Sequence, residues 1–367
     1  MQSQPCRVHR EKPAFIVRYL NCIGLDSFCR GFFEAIRVAS CRKQSASNLS
    51  NQSLGAIHVT HIRPFQNGDL PALARVWVEH WSAVDESPMV SPAIIEQAVL
   101  SRTFFQTSNL LIAENDGSVE GWVQYLADPL DKLTALIGIL CFSSQGLQSC
   151  DLLLRAAESA IREQGFQSIL VGPLRDNVFG YAGLSPLGHG IGIPATDART
   201  ASLLSRNAYT PERSVARLTA MTNPYRMPVS RESLQLRRST RVQTEHWFPA
   251  DPRQASAMAH LDIESYSLVN HRTSDVLATV NLWFSDPEAQ VMNCAKTILD
   301  LNEIHHRGSI EPAESFLIGT VIQSLANRRV FSVETAVDSQ HTQLIEQLLC
   351  LHFQNVEQGQ RWEKIFT

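Results

Sequence analysis

The chain has 367 residues, 44% of them hydrophobic, which is too long for one ordinary core and suits two domains of a globular protein. No apolar run reaches the ~18 residues of a membrane helix, so no spanning helix is expected. The net charge of −4 divides unevenly: residues 1–56 carry eight Lys/Arg against three Asp/Glu, and the acidic remainder argues against a nucleic-acid-binding core.

Residues 1–56 read as a disordered basic N-terminal extension, or an over-long start of the reading frame, with a weakly amphipathic stretch at 15–39 and a Ser/Asn-rich linker at 43–55. A targeting or partner-binding arm is the alternative. The stretch is too charged for a signal peptide, and the four cysteines in this region include no C-x-x-C pair, so the cysteines suggest neither zinc nor a disulfide framework. No metal is expected, and the reducing cytoplasm is the expected location.

From there the elements follow in order. Ile57 to Pro64 reads as a strand; Gly68-Asp69 caps a helix carrying Leu70, Leu73, Ala74, Val76, Trp77 and Trp81; a second helix starts at Ser91-Pro92 and runs towards Phe105. Asn109 to Glu114 and Glu120 to Leu126 form a hairpin, with Asp116-Gly117 supplying positive φ in its turn. Glu114 and Glu120 read as solvated charges beside that turn.

The stretch from Leu133 to Val171 carries the most information. LTALIGILCF suits a strand buried on both faces, and the polar turn Ser143–Cys150 leads into a helix with Leu152, Leu153, Ala156, Ala157, Ala160 and Ile161 on one face and Gly165 at its stop. A strand follows at 167–171. A helix entered through a small-residue loop offers unpaired N–H groups and a positive dipole end to a phosphate. Phe179 to Pro194 then holds five glycines, Asp197 to Tyr209 reads as a helix and Arg213 to Met221 as a strand.

The order strand, Q/R-x-x-G-x-G/A turn, helix, strand resembles the acetyl-CoA site of the GNAT superfamily of acyltransferases. Gln145 stands at the Q/R position and Gly146 where many members carry an extra glycine, while Gln148 and Cys150 occupy two positions that are usually small. Ala208-Tyr209 stands in for the Gly-Phe/Tyr pair that ends the family's late helix. The resemblance spans about 57–222. The remainder repeats the pattern: Arg237 to Trp247, a hairpin near 265–284, a strand from Lys296 to Ile304, a helix over 312–327, a strand from Val330, a helix from Gln340 and a last strand from Trp362. The expected fold is therefore α/β, a mixed sheet flanked by helices, in tandem: 57–222, a linker at 223–236, and a degenerate second copy at 237–367 where Glu311 stands in the turn and repels a pyrophosphate.

The resemblance implies transfer of an acetyl group from acetyl-CoA to an amine by direct attack in a ternary complex, the acceptor being a small molecule or a peptide. Amides of Leu140, Cys141 and Phe142 would meet the pantetheine and thioester, and those of Gln145, Gly146, Leu147, Gln148, Ser149 and Cys150 the pyrophosphate. The family's usual acid position is Leu204, so the candidate proton carriers are His189, with an imidazole that titrates near neutrality, and the phenols Tyr181 and Tyr209. His305-His306, on a strand, would point to opposite faces, and of Asp300 and Glu303 only one would face the second copy's cleft. The competing reading is a non-catalytic CoA-binding or scaffold protein of the same fold. No nucleic-acid or membrane partner is expected, and a homo-oligomer is left open.

Overall fold

The computed structural model describes residues 60–84, 90–175, 181–301 and 303–366. The N-terminal extension expected at 1–56 lies outside them. Residues 58–367 form one compact unit. It opens with β1 (His61–Pro64), α1 (Leu70–Ser82) and α2 (Pro92–Ile95), the last capped by Ser91 Oγ accepting from Ile94 N and continued as a π turn to Leu100. The hairpin is β2 (Leu110–Asn115) and β3 (Ser118–Ala127), turned at Asp116 and Gly117 with φ of 49° and 76°. Next come β4 (Thr134–Phe142), α3 (Leu147–Glu163), β5 (Ser168–Val171), the short β6 (Ile193–Pro194), α4 (Ala198–Arg206) and β7 (Thr210–Met221). Ala208 takes φ +63°, the left-handed conformation a glycine would otherwise supply at this helix end.

The second half begins with α5 (Arg231–Ser239) and β8 (Thr240–His246). The expected strand from Arg237 thus starts three residues later, because Ser230 and Ser233 close a capping box that commits the preceding residues to a helix. Then follow α6 (Pro252–Ala257), β9 (Leu261–Asn270), β10 (Val276–Ser285), β11 (Lys296–Asp300), α7 (Glu303–Arg307), α8 (Pro312–Leu325), β12 (Ser332–Asp338), α9 (Thr342–Cys350) and β13 (Gln354–Ile365). His305 and His306 therefore sit on the short helix α7, not on a strand as the sequence suggests.

Among the described residues, all named strands belong to one mixed sheet in the order β1-β2-β3-β4-β5-β13-β7-β12-β11-β10-β9-β8, with β6 beside β13. Each half lends its long final strand to the other: β13 lies between β5 and β7, and β7 between β13 and β12. In the first half, α1 and α2 cover one face with Trp77, Trp81, Trp122 and Ile112, and α3 and α4 cover the other with Cys150, Leu153, Leu154, Ala157, Ile161 and Leu203. The buried face of α3 is thus rotated from the expected one, leaving Leu152 exposed. The second half buries α8 and α9 on β9, β10 and β7.

His260 joins the halves: its imidazole N–H donates to the Ala182 carbonyl at 2.6 Å. Burial, reinforced by nearby Arg102, pushes the imidazole down to about 4. A base whose folded pKa lies below its unfolded value of about 6.5 contributes stability that is complete above that pH and lost as pH falls towards 4. Acidification across this window is expected to remove about 3 kcal/mol. Urea midpoints at pH 7 and 4.5 check this, and the loss should shrink in His260→Gln.

Candidate functional site

Every residue of β4 is buried, as its unbroken apolar run requires. β4 pairs in parallel with β5 only from Thr134↔Ser168 to Ile137↔Val171, after which the two strands part while β4 continues to Phe142. On the other side its register with β3 shifts between Gln124 and Tyr125, which leaves Gly138 in a bulge. A Cβ at Gly138 would lie 2.4 Å from the Tyr181 ring, so the missing side chain is what admits the phenol. Tyr181 is buried, its O–H donates to Gln124 Oε1 at 2.5 Å, and burial pushes the phenol well above its ordinary pKa.

Deeper in the opening, the Phe142 amide donates to His80 Nδ1 at 3.3 Å, and His80 Nε2 lies 3.2 Å from Asp197 Oδ2. Both side chains are fully buried. A proton on Nε2 satisfies these two contacts, while Nδ1 also lies 3.2 Å from the Phe142 carbonyl, which the other tautomer would bond. Asp197 also caps α4, its Oδ1 accepting from Thr200 N at 3.1 Å. Burial alone would raise the Asp197 carboxyl, but the bonds from His80 and Thr200 outweigh it and hold it below the usual range. Arg199 stacks over Phe142 at 5.0 Å and donates to the His80 carbonyl. Sequence reading missed this pair, since a histidine inside the apolar stripe of α1 and a helix-capping aspartate 117 residues later carry no local sign of one another.

Backbone direction sorts the three β4 amides. N–H groups alternate along a strand, so Leu140 shares the Phe142 direction into the opening, whereas Cys141 faces Trp122 on β3. The thiols of Cys141 and Cys150 are fully buried and pushed well up, which removes them as nucleophiles.

The turn into α3 is tight because a Cβ on Gly146 would sit 2.7 Å from the Glu120 carbonyl. Two of the six expected cradle amides are already committed: Gly146 N donates to Ser143 O and Cys150 N to Gly146 O. Leu147, Gln148 and Ser149 supply the helix's first-turn donors, with Gln145 just before it. Gln148 points outward into an open groove with Arg155 and Arg206 and does not crowd the turn. Two carboxylates press on the cradle. Glu79 accepts from the Ser144 amide and hydroxyl at 3.0 Å each, and Glu120, expected to be solvated, accepts from Ser149 Oγ and Asn115 Nδ2.

The candidate proton carriers are not brought together. His189 is buried against the second half, with Nδ1 2.8 Å from Glu334 Oε1 on β12 and Nε2 3.4 Å from both Ser185 Oγ and Arg217 Nη1. Its glycine-rich loop is close-packed: a Cβ on Gly188 would meet Gly183 N, and one on Gly192 would meet Gln360 O, at 2.4 Å each. Tyr209 is a core aromatic beside Leu203, Leu204 and Trp362, its phenol pushed up by burial and by Glu158.

In the second half the corresponding helix N-terminus is closed. Glu311 N donates to Glu314 Oε2 at 2.8 Å, and Arg307 binds the same carboxylate. β11 and β12 pair only from Lys296↔Ser332 to Ile298↔Glu334 and then part, with Asp300 at the end of β11 facing the gap. Among the described residues no group of three or more His, Cys, Asp or Glu can hold a metal ion, and no helix is long and apolar enough to cross a membrane.

No family model matches the chain, and no curated protein matches it by sequence. Solved structures do match in fold. The GCN5-related glucosamine N-acetyltransferase region of a fungal multi-domain GH3 β-N-acetylglucosaminidase aligns with 87% of this chain at TM-score 0.60 and 14% identity; this chain spans 40% of that one. A tandem GNAT protein from the clavulanic acid biosynthesis pathway aligns over 84% of this chain and 98% of its own, at TM-score 0.56 and 11% identity. A GCN5-related N-acetyltransferase from Sphaerobacter thermophilus aligns over 83% and 95%, at TM-score 0.55 and 12% identity. With two splayed strand pairs, each followed by a helix on the same sheet, the chain has the GNAT fold in tandem.

Proposed function

We propose that the protein is an acyltransferase that moves an acetyl group from acetyl-CoA to an amine in its first half, the second half being structural. The observation that carries this reading is the parting of β4 from β5 with the Leu140 and Phe142 amides directed into the gap, immediately before the first turn of α3. Such amides suit a thioester arm and its carbonyl, and the free first-turn donors suit a pyrophosphate. The amine nitrogen attacks the thioester carbon, the C–N bond forms as C–S breaks, and the departing thiolate is protonated. His80 is better placed than His189 to receive the amine proton: its Nδ1 lies against the Phe142 backbone, where the thioester would arrive. With the ring proton on Nε2 towards Asp197, the Nδ1 lone pair accepts from the Phe142 amide until the thioester takes that amide, and would then take the proton. The acceptor is a small-molecule or peptide amine.

One observation favours a second reading, a CoA-binding or scaffold protein without turnover: Tyr181 and the His80–Asp197 pair occupy the gap that the acyl arm must enter. Thermal unfolding of the full chain with acetyl-CoA separates the cases. Binding to the folded state should raise the midpoint progressively with ligand concentration. Gly146→Val should abolish the rise, because the turn has no room for a side chain. No rise in the native chain would end both readings. A rise without transfer to any member of an amine panel would favour the second. Where transfer is found, His80→Ala should lower kcat by about 100-fold or more.

A further inference from the structure

The sheet ends in two edge strands that are built differently. β1 has four residues and ends in Pro64, which blunts it. β8 has seven, Thr240–His246, pairs with β9 without a register shift, and contains neither proline nor glycine. Its hydrogen-bonding sense follows from its two ends. His271 N donates to Ser239 O and Trp247 N to Ile263 O, so the odd-numbered residues turn their N–H and C=O groups towards β9. The even-numbered residues therefore turn theirs outwards. Thr240 N is taken by Leu236 O at the end of α5, which leaves the N–H groups of Val242, Thr244 and His246 without a protein partner among the described residues.

The side chains alternate in step. Val242 packs against the core beneath α8, so Arg241, Gln243 and Glu245 share the opposite face, and all three are exposed. Arg241 and Glu245 make no ion pair with any described residue, and they stand symmetrically on either side of Gln243. An antiparallel copy of the same strand, set on a two-fold axis through Gln243, is therefore complementary to it. Val242 meets Thr244 of the second copy as a hydrogen-bonded pair, and His246 N meets its Thr240 carbonyl. Arg241 meets Glu245 of the second copy as a non-hydrogen-bonded pair, the kind in which side chains lie closer, and the axis repeats the contact at the other end. Shifting the register by two residues either way sets Arg241 opposite Gln243 or Trp247 and loses both ion pairs. Edge charges commonly guard a strand by repulsion, but here each charge faces its opposite. We propose that β8 is a self-association surface, along which two copies of the chain pair antiparallel about Gln243 into one continuous sheet. The inference does not depend on acetyl-CoA binding, which uses residues of the first half.

Sedimentation velocity of the full chain over a concentration series should show a monomer–dimer equilibrium, weakened by salt because the ion pairs lie at the surface. Glu245→Arg sets like charges opposite one another at both ends and should raise the dissociation constant by about tenfold or more. Arg241→Glu should do the same, and the double variant Arg241→Glu/Glu245→Arg, which restores opposite charges, should recover the dimer. Thr244→Pro removes an outward N–H without breaking a bond to β9, at a position where an edge strand tolerates proline. It should abolish dimerisation while the chain still melts cooperatively. Gln243→Cys tests the register itself. Opposed residues of a non-hydrogen-bonded pair have Cα atoms about 4.5 Å apart, within disulfide range. Mild oxidation of that variant should give a disulfide-linked dimer beyond any formed by the native chain, and far less of it once Glu245→Arg is added. A chain that stays monomeric throughout the series, a dimer untouched by Glu245→Arg and Thr244→Pro, or a charge swap that fails to recover it would each overturn the proposal.

Discussion

Residues 58–230 and 231–367, produced as separate chains, are expected not to fold alone. Within the first segment β7 has no sheet neighbour, because both of its partners, β12 and β13, belong to the second. The first segment also loses Trp362, which is buried among Leu203, Leu204 and Tyr209, and the second loses Ala216, Leu218 and Ala220 from beneath α8 and α9. Burying one such large side chain stabilises by about 1.5–3 kcal/mol, and a typical domain has only about 5–15 kcal/mol in total. Each cut chain would also expose two long unpaired strand edges, which invite aggregation. Circular dichroism of each segment should show no cooperative melt, and co-expression should recover the complex. A segment 58–230 that melts cooperatively near the full-chain midpoint would refute the claim that the exchanged strands are needed.

Much of the fold is legible in the sequence because its signals are local. The all-apolar run of β4, Asp116-Gly117 in the hairpin, the Ser91-Pro92 helix start and the residue pair at Ala208-Tyr209 each state their conformation within a few positions. The strand exchange is not legible, since β13 is polar nearly throughout, with only Val356, Trp362 and Ile365 apolar, and nothing in it names its neighbours. Only its end, from Trp362, stands out by composition, while the polar Gln354–Gln360 stretch is in fact central. The candidate site divides in the same way. The cradle at Gly146 is a local motif and is readable, but His80–Asp197 and Tyr181–Gly138 are meetings of distant segments. His189 stands out in the sequence by the intrinsic pKa of an imidazole, a property that says nothing about which strand it packs on.

That packing gives the last expected result. Glu334 is buried with His189 2.8 Å away and Arg217 at 3.4 Å, and Arg217 is shared with Glu357 at 2.9 Å. Burial by itself would raise the Glu334 carboxyl, but His189 above all, then Arg175 and Arg217, hold it far below the usual carboxylate range. Glu334→Ala leaves Arg175 and Arg217 without their shared counter-charge and the His189 ring without its partner, and breaking a buried pair in this way typically costs about 3–5 kcal/mol. The urea midpoint at pH 7 should fall accordingly. The pH dependence has a definite sign: with the folded pKa below the unfolded one, the contribution is complete above about 4.5 and is lost as pH falls below that. This window lies under that of His260, so the two losses separate on one stability–pH curve, and Glu334→Ala should flatten only the more acidic limb. His189→Asn should act on the same limb and lower stability, leaving kcat of any acyl transfer within about threefold. A His189→Asn chain of native stability with kcat reduced by about 100-fold would instead return His189 to the chemistry.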